Sequence, residues 1–515
     1  MKQIIVALFS GLTLGVGTVF FALWPLSLLS FAGVLYLLRS TTKSQIGWLL
    51  FLVGSIAYGF SFFTIYWSTL PLDWLGLGGP IGAAIIASVW LLTVGLFAGV
   101  FSYVLRFAHG SAATAGLGLL LPAALYVLAD TLGALLYSVV LIGTAGDINI
   151  HFSMGSPGYQ LADSELLRQV AMIGGLYGLL FVQAVVGSAL YYGFFITVPV
   201  WRWTSLLLLL LFFGAAVTNL VVISEPANSS PSLQVGIMST YSTVTAEEYE
   251  SRLWSELQNI PATTDVIVFP EDSRFIQYLS SDDLLRLQSL LPDTYLLDSG
   301  TISTEQGLNP EIQLLSTNTL TVATSSKEFL MVFGEYMPIL YQGVGHAIGR
   351  SDVINRLDDN RGYITAPAQI FTIKGIPVSA KLCSDAMSPL LYTKDVKEGA
   401  AILFNLASHT WFHHSVPLHN LSIRVGQVRA TESSRWYVRA GNDSPAYVLD
   451  SKGSVVREAA WFDSTPLVLT VPTKINRTPY SLVRQYILLL PLVLVIYIVF
   501  KRRRARIKIR DARKK

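Results

Sequence analysis

Seven stretches of this chain are apolar enough and long enough to cross a bilayer: 3–23, 46–67, 81–105, 112–138, 168–194, 199–223 and 481–500. A hydrocarbon core of about 30 Å needs about 20 helical residues, so each stretch fits one crossing. A shorter one, 26–38, follows Trp24-Pro25 and reads as the returning helix of a hairpin, which brings the expected number of spans to about eight. Composition agrees: hydrophobic residues make up 52% of the chain and charged residues 13%, against about a quarter charged in soluble domains. The 1–23 stretch begins like a signal peptide, with Lys2 ahead of an apolar run, but has no convincing small-x-small cleavage site and is read as a retained first helix.

Lysine and arginine set the orientation. With alternating spans, Lys2, the Arg39/Lys43 loop, Arg106, Arg202 and the tail Lys501 to Lys515 fall on one side. The loops at 68–80 and 144–167 carry Asp73, Asp147, Asp163 and Glu165 and few basic residues. Both termini are therefore expected in the cytoplasm, with the segment between spans seven and eight outside. The net charge of +3 hides a split: residues 501–515 hold ten basic residues and Asp511, or +9, leaving 26 basic and 32 acidic residues, or −6, elsewhere. Such a tail abutting a span reads as an anchor against anionic headgroups. It lacks the aromatic interleaving of a nucleic-acid surface, and no nucleic-acid partner is expected.

Three regions follow: a membrane part at 1–224, a segment at 225–480, and a last helix with its basic tail at 481–515. The middle segment opens with the linker Glu225-Pro226-Ala227-Asn228-Ser229-Ser230-Pro231 and is long enough for one sizeable domain. Thr245 and Glu248 have capping-box spacing, and Tyr249, Leu253, Trp254 and Leu257 recur on one helical face. Strands are expected at 235–240, 265–270, 293–298, 312–324, 329–334, 368–383, 400–406, 436–440 and 445–450. Their alternation with helices argues an α/β class.

Cys383 is the only cysteine and ends an extended run, Ser379-Ala380-Lys381-Leu382-Cys383-Ser384-Asp385. One thiol makes neither an internal disulfide nor a cysteine-rich metal site, which leaves a packed core residue, an accident or a nucleophile. A thiol nucleophile needs a base for its proton and a positive group for the charge that develops on the attacked carbonyl. Glu271, behind the buried-strand pattern Asp265-Val266-Ile267-Val268-Phe269-Pro270, could be the first. Lys327, ahead of the apolar run Phe329 to Phe333, could be the second. Their order is Glu, Lys, Cys at spacings of about 55 residues, about one βα or ββ unit each. Singly, each is an ordinary solvated strand end.

Together these segments resemble the carbon-nitrogen hydrolase (nitrilase) superfamily, above all its membrane branch, the apolipoprotein N-acyltransferases. Pro270-Glu271 matches the family's base, Lys327 ahead of Phe333-Gly334-Glu335-Tyr336 matches its lysine, and Cys383 its nucleophile. Further matches are Asn405 through Trp411-Phe412, Arg429-Ala430-Thr431-Glu432 and Val438-Arg439-Ala440-Gly441-Asn442. Departures include Ser384-Asp385 in place of the usual Tyr-Glu, and Ser408-His409-Thr410 in place of Asn-Asp before Trp-Phe. The resemblance implies a four-layer αββα sandwich inserted in the membrane bundle, and an acyltransferase of a bacterial inner membrane that needs no cofactor. It implies a phospholipid donor, a diacylglyceryl-lipoprotein acceptor, a Glu271-Lys327-Cys383 triad and a supporting role for Glu335, Asp385, Lys381, Trp411 and Asn405. Lys381, two positions before the cysteine, could depress its pKa or serve a structural pair, and Glu335 could be a second site carboxylate or a scaffold.

His409, His413, His414 and His419 crowd eleven positions, but without nearby cysteine or acidic ligands they read as a polar loop at the site's mouth rather than a metal site. Two competing functions remain: an amidohydrolase giving the acyl group to water, for which eight spans are superfluous, and a transporter or assembly protein whose outer domain only binds. The spans carry few charges, Asp130 being the main one, where a coupled transporter would show more.

Overall fold

The computed structural model describes residues 1–41, 45–66, 117–143, 151, 153, 155–195, 202–203, 205–210, 231–241, 246–332, 335–347, 349, 351, 362–412 and 414–512. On the membrane side these form α1 (Lys2–Val19), α2 (Leu26–Ser40), α3 (Ile46–Tyr66), α4 (Leu117–Val140) and α5 (Ala171–Phe195). Near the C-terminus a short turn of helix, Pro479–Val483, leads towards a long terminal helix, Leu489–Ala512. Among the described residues four segments are long and apolar enough to cross a membrane: Lys2–Val19, Leu119–Val140, Ala171–Phe195 and Pro479–Tyr497. The expected span at 81–105 and most of that at 199–223 lie outside the described residues.

With no hydrophobic force between helices in lipid, small residues and side-chain hydrogen bonds hold them together. Gly11 and Gly15 on α1 leave room for α3, since a Cβ at either would come within 2.9 Å of a backbone oxygen, that of Val53 or Ala57. Gln160 donates to Thr18 Oγ1 at 2.6 Å, and Gln183 donates to Ser27 Oγ at 3.0 Å. Asp130, the intramembrane acid, accepts from Ser156 Oγ at 2.8 Å.

The described residues between 231 and 473 include two stacked sheets. The first runs β13 (Leu467–Pro472), β1 (Ser232–Ile237), β3 (Val266–Val268), β4 (Tyr295–Thr304), β5 (Gly307–Ser316) and β6 (Val322–Ser326), with β1, β3 and β4 parallel. The second runs β12 (Val455–Glu458), β11 (Tyr447–Leu449), β10 (Trp436–Asn442), β9 (Ile402–Ser408), β8 (Ile376–Leu382) and β7 (Phe371–Ile373), with β8, β9 and β10 parallel. A two-residue strand, β2 (Ser239–Thr240), continues β1 and crosses to pair with β10. The period-2 alternation of strands sends one side chain of each pair between the sheets. Val235, Val266, Val268, Leu297, Val378, Ala380, Leu382, Phe404, Leu406 and Val438 meet there in one buried cluster.

The other faces carry helices. Ile267, Phe269 and Leu296 pack with Leu253, Trp254 and Leu257 of α6 (Ala246–Gln258) and Leu287 of α7 (Ser281–Leu290). On the second sheet, Leu403, Tyr437 and Tyr447 pack with Tyr392 and Val396 of α9 (Leu391–Glu398) and Val425 and Val428 of α10 (Val416–Ser433), an amphipathic α8 (Ile339–Ala347) having preceded them in the chain. The layers are thus helix, sheet, sheet, helix. That last cluster continues without a break into Leu179, Leu180 and Ala184 of α5. Charge fastens the contact: Arg424 of α10 grips Asp163 with two bonds, 2.9 and 2.5 Å long.

Three strand expectations need correction. The run 312–324 is a hairpin, its turn at 317–321 between β5 and β6, and 368–383 is another, broken at Lys374-Gly375 between β7 and β8. Residues 329–332 are not a strand, and Phe333 and Gly334 lie outside the described residues. The physical reason is that side chains take this backbone's donors: Asp385 accepts the Glu328 and Phe329 amides, and Glu335 accepts that of Met331. An apolar run whose N–H groups are already satisfied has no call on a ladder. Strands β12 and β13 were not anticipated. The expected capping Thr245 lies outside the described residues, although the helix it would begin, α6, is present.

Candidate active site

Parallel strands end together, and loops at their carboxyl ends are where such sheets place reactive groups. Glu271 follows β3 by way of Phe269-Pro270, Cys383 directly follows β8, and Ser408 ends β9. Lys327 directly follows β6, which two antiparallel steps through β5 leave running the same way as β4, so it follows a strand rather than preceding one.

Lys327 Nζ donates to Glu271 Oε1 at 3.0 Å and to Glu335 Oε1 at 2.8 Å, with the lysine 2% exposed. Burial alone would lower the ammonium pKa. The two carboxylates outweigh it and hold Lys327 well above the ordinary lysine range, which favours its ammonium form. Glu271 is pushed above the usual carboxylate range by burial, opposed by Lys327 and assisted by Glu335. Its second oxygen accepts the Ser408 amide at 3.2 Å. The carbonyl of Ser408 in turn faces the thiol, Cys383 Sγ to oxygen 3.8 Å. One residue of main chain therefore bridges carboxylate and thiol. Burial and the nearby Glu271 charge push Cys383 up to about 12, with Lys327 and Arg439 pulling the other way. The resting group is a thiol, and it needs a base.

The turn Cys383–Met387 is bound to the lysine segment. Asp385 Oδ1 accepts from Phe329 N at 2.7 Å and Glu328 N at 3.2 Å, while Oδ2 accepts from Leu382 N at 3.2 Å. Ser384 Oγ donates to Phe329 O at 2.7 Å. The pair Ser384-Asp385 thus acts as a clasp between two loops. Glu335 braces its loop the same way, one oxygen on Lys327 and the other on Met331 N at 2.5 Å.

The remaining sequence-derived residues divide. Alternation carries Ala380 and Leu382 between the sheets and Lys381 outward, where Nζ lies 3.1 Å from Asp395 Oδ2 and 3.4 Å from Glu328 Oε1. The chain leaves the strand after Leu382, so lying two positions before Cys383 does not bring Lys381 to the thiol, and its partners are structural. Asn405 donates to Lys381 O at 3.2 Å, which fixes the end of β8 from β9. Trp411 lies in the turn Thr410–Phe412, and its side chain lies outside the described residues. Of the histidines, His413 is outside the described residues, and His409 and His419 are buried rather than lining a polar mouth. Burial and the Arg439 charge hold His409 well below the usual imidazole range, so the neutral ring accepts from Arg439 Nη2 at 2.9 Å. Arg439 itself was missed as a site residue. Its signal was a charged residue inside an otherwise apolar strand, 1% exposed in the fold.

The molecule is thus an αββα sandwich bearing a Glu-Lys-Cys cluster, its lysine buried and its acid and thiol half-buried, and joined to apolar helices of membrane-crossing length. In sequence it is similar to the apolipoprotein N-acyltransferases, which bears out the resemblance read from its motifs. That of Pseudomonas aeruginosa (strain LESB58) is 30% identical over 160 residues, 30% of this chain and 30% of the relative. That of Rickettsia typhi is 22% identical over 366 residues, 66% of this chain and 70% of the relative. The chain thus spans about 30% of the length of the first curated relatives it matches. No family model matches. Among solved structures, a CN-hydrolase superfamily protein of Xanthomonas campestris is 12% identical over 47% of this chain and 91% of its own, with a TM-score of 0.35. An amidase of Nesterenkonia sp. is 12% identical over 51% and 97%, with a TM-score of 0.32.

Proposed function

We propose that this chain moves an acyl group from a membrane phospholipid to the α-amine of a lipoprotein's N-terminal diacylglyceryl-cysteine, through a thioester on Cys383. The observation that carries the reading is the bridge at Ser408, which joins the Glu271 carboxylate from the first sheet to the Cys383 thiol from the second, beside the buried charge of Lys327. The similarity to relatives named apolipoprotein N-acyltransferases supports it.

In the first half-reaction Glu271 takes the Sγ proton as sulfur attacks the ester carbonyl. A carboxylate shifted upward by burial is a stronger base than an ordinary one, which narrows its gap to the raised thiol. Lys327 Nζ stabilises the oxyanion. Collapse breaks the ester C–O bond, the departing alkoxide takes the proton from Glu271, and a lysophospholipid leaves. The acceptor amine then attacks the thioester carbonyl, gives its proton to Glu271, and the C–S bond breaks. The returning thiolate recovers that proton.

In this reading residues 225–480 lie outside the cytoplasmic membrane of a bacterium, with residues 1–224 and 481–515 in or beneath it and both termini cytoplasmic. Both substrates are lipid-anchored, which gives the helices their purpose. Intact-mass analysis of the purified protein incubated with phospholipid tests the reading. A hydroxylamine-labile acyl adduct on Cys383 is expected, and its absence under turnover conditions would refute the covalent route.

A further inference from the structure

The far end of the nucleophile turn is held by the membrane side of the molecule. Ser153, between α4 and α5, donates both its amide, at 3.3 Å, and its hydroxyl to the carbonyl of Met387, the last residue of the turn that Cys383 begins. Behind Ser153 the donors point one way. Arg429 Nη2 donates to Tyr159 OH at 2.8 Å, so the tyrosine proton is free for Ser153 Oγ, 2.5 Å away. Arg429 is itself fixed by Glu432 Oε1 at 2.6 Å, both residues being fully buried.

The next carbonyls are held from the same side. Tyr480 OH donates to Pro389 O at 3.3 Å and Arg484 Nη2 to Leu390 O at 3.4 Å, both from the lead-in to the last helix. The Tyr480 ring seats against Gly175 of α5, a position at φ 58° where a Cβ would lie 2.4 Å from the ring. Three carbonyls within four residues, at 387, 389 and 390, thus rest on groups outside the sandwich, whereas Asp385 and Ser384 hold the turn's near end from within it.

We infer that Ser153, backed by Tyr159 and Arg429, is a positioning residue for Cys383, through which the segment between two membrane helices sets the geometry of the nucleophile. Ser153 touches no reacting atom. It acts through the Met387 carbonyl, four residues along a short turn, where a small displacement of the attacking sulfur costs heavily in rate. The inference rests on the thioester reading for its rate effect, but not for its geometry.

The test uses the full-length protein in detergent micelles with phosphatidylethanolamine as the acyl donor. Acyl-enzyme formation is followed by mass in single turnovers for Ser153→Ala, Ser153→Thr and Tyr159→Phe. Ser153→Ala should acylate at least about fivefold more slowly at saturating donor, with half-saturation within about twofold of wild type. Ser153→Thr, which keeps the hydroxyl, should recover most of the rate, and Tyr159→Phe, which keeps the ring, should be slowed in the same sense. A Ser153→Ala rate within about twofold of wild type, or a Thr variant no better than Ala, overturns the inference. If wild type forms no acyl-enzyme, the thioester reading fails, and alkylation of Cys383 by iodoacetamide decides the inference alone. Loosening the turn should then raise the Ser153→Ala rate by about threefold or more, with Thr restoring it, and an unchanged rate overturns the inference.

Discussion

The carboxylate of Asp385 accepts the backbone amide of Phe329 at 2.7 Å, and through that bond the turn that begins at Cys383 is tied to the segment that begins at Lys327. The two groups proposed to attack the ester and to receive its negative charge are therefore spaced by one buried acid. Asp385 is 1% exposed, and burial raises its carboxyl to about 7 against the pull of Lys381 and Lys327. Asp385→Asn should keep the shape but replace one acceptor oxygen by a donor. A loss of about 1–3 kcal/mol in unfolding free energy is expected from the amides left unpaired, together with slower acylation. Thermal unfolding and single-turnover mass measurement check the two effects separately.

Cys383→Ser and Cys383→Ala should abolish turnover while the protein remains folded in the membrane, since Cys383 is the sole thiol. Activity assay beside a folding probe such as tryptophan fluorescence checks this. Turnover within a few-fold of wild type in either variant would end the covalent mechanism.

Glu271 and Lys327 should separate in their effects on the thiol. Glu271→Gln should accumulate no acyl-enzyme, yet removing its charge relieves a cause of the high Cys383 pKa, so alkylation at pH 8 should be no slower than in wild type. Lys327→Met should lose acylation by about 10²–10³, the cost of an unsupported oxyanion, and alkylate more slowly because a cation that favours thiolate is gone. Normal acyl-enzyme in either variant, with only transfer lost, would place that residue's work on the acceptor amine.

A thiol raised to about 12 has an uncommon titration. Below that value the thiolate fraction grows tenfold for each pH unit, so iodoacetamide alkylation of resting enzyme should climb log-linearly from pH 7 to beyond pH 10. An ordinary cysteine levels off above about 8.5. A plateau near pH 9, measured by mass, would show that the resting thiol is not held up by burial and Glu271.

Orientation has its own test. The lysine and arginine asymmetry predicts that Cys383 lies outside. A membrane-impermeant thiol reagent added to intact spheroplasts, after hydroxylamine treatment, should label Cys383. Labelling only once the inner face is opened would reverse the orientation.

Much of this was legible in the sequence because it depends on local counts. Crossing a bilayer requires a length of apolar chain, and the segments at Lys2–Val19, Leu119–Val140 and Ala171–Phe195 satisfied that requirement before any packing was known. Cys383, Glu271 and Lys327 stood out by residue type and place at strand ends, with the family likeness supplying their roles. What one residue's neighbours across the fold decide was not legible. Whether 329–332 pairs in a ladder depended on Asp385 and Glu335 taking its amides. Whether Lys381 faces the thiol depended on where β8 ends, and the burial of His409 depended on Arg439 one strand away. The hold of Ser153 on Met387 joins residues 234 positions apart and has no trace in either segment. Periodicity and composition report a residue's own preference for water or lipid, whereas partners distant in sequence become neighbours only when the sheets stack and the second helix layer settles on the membrane helices.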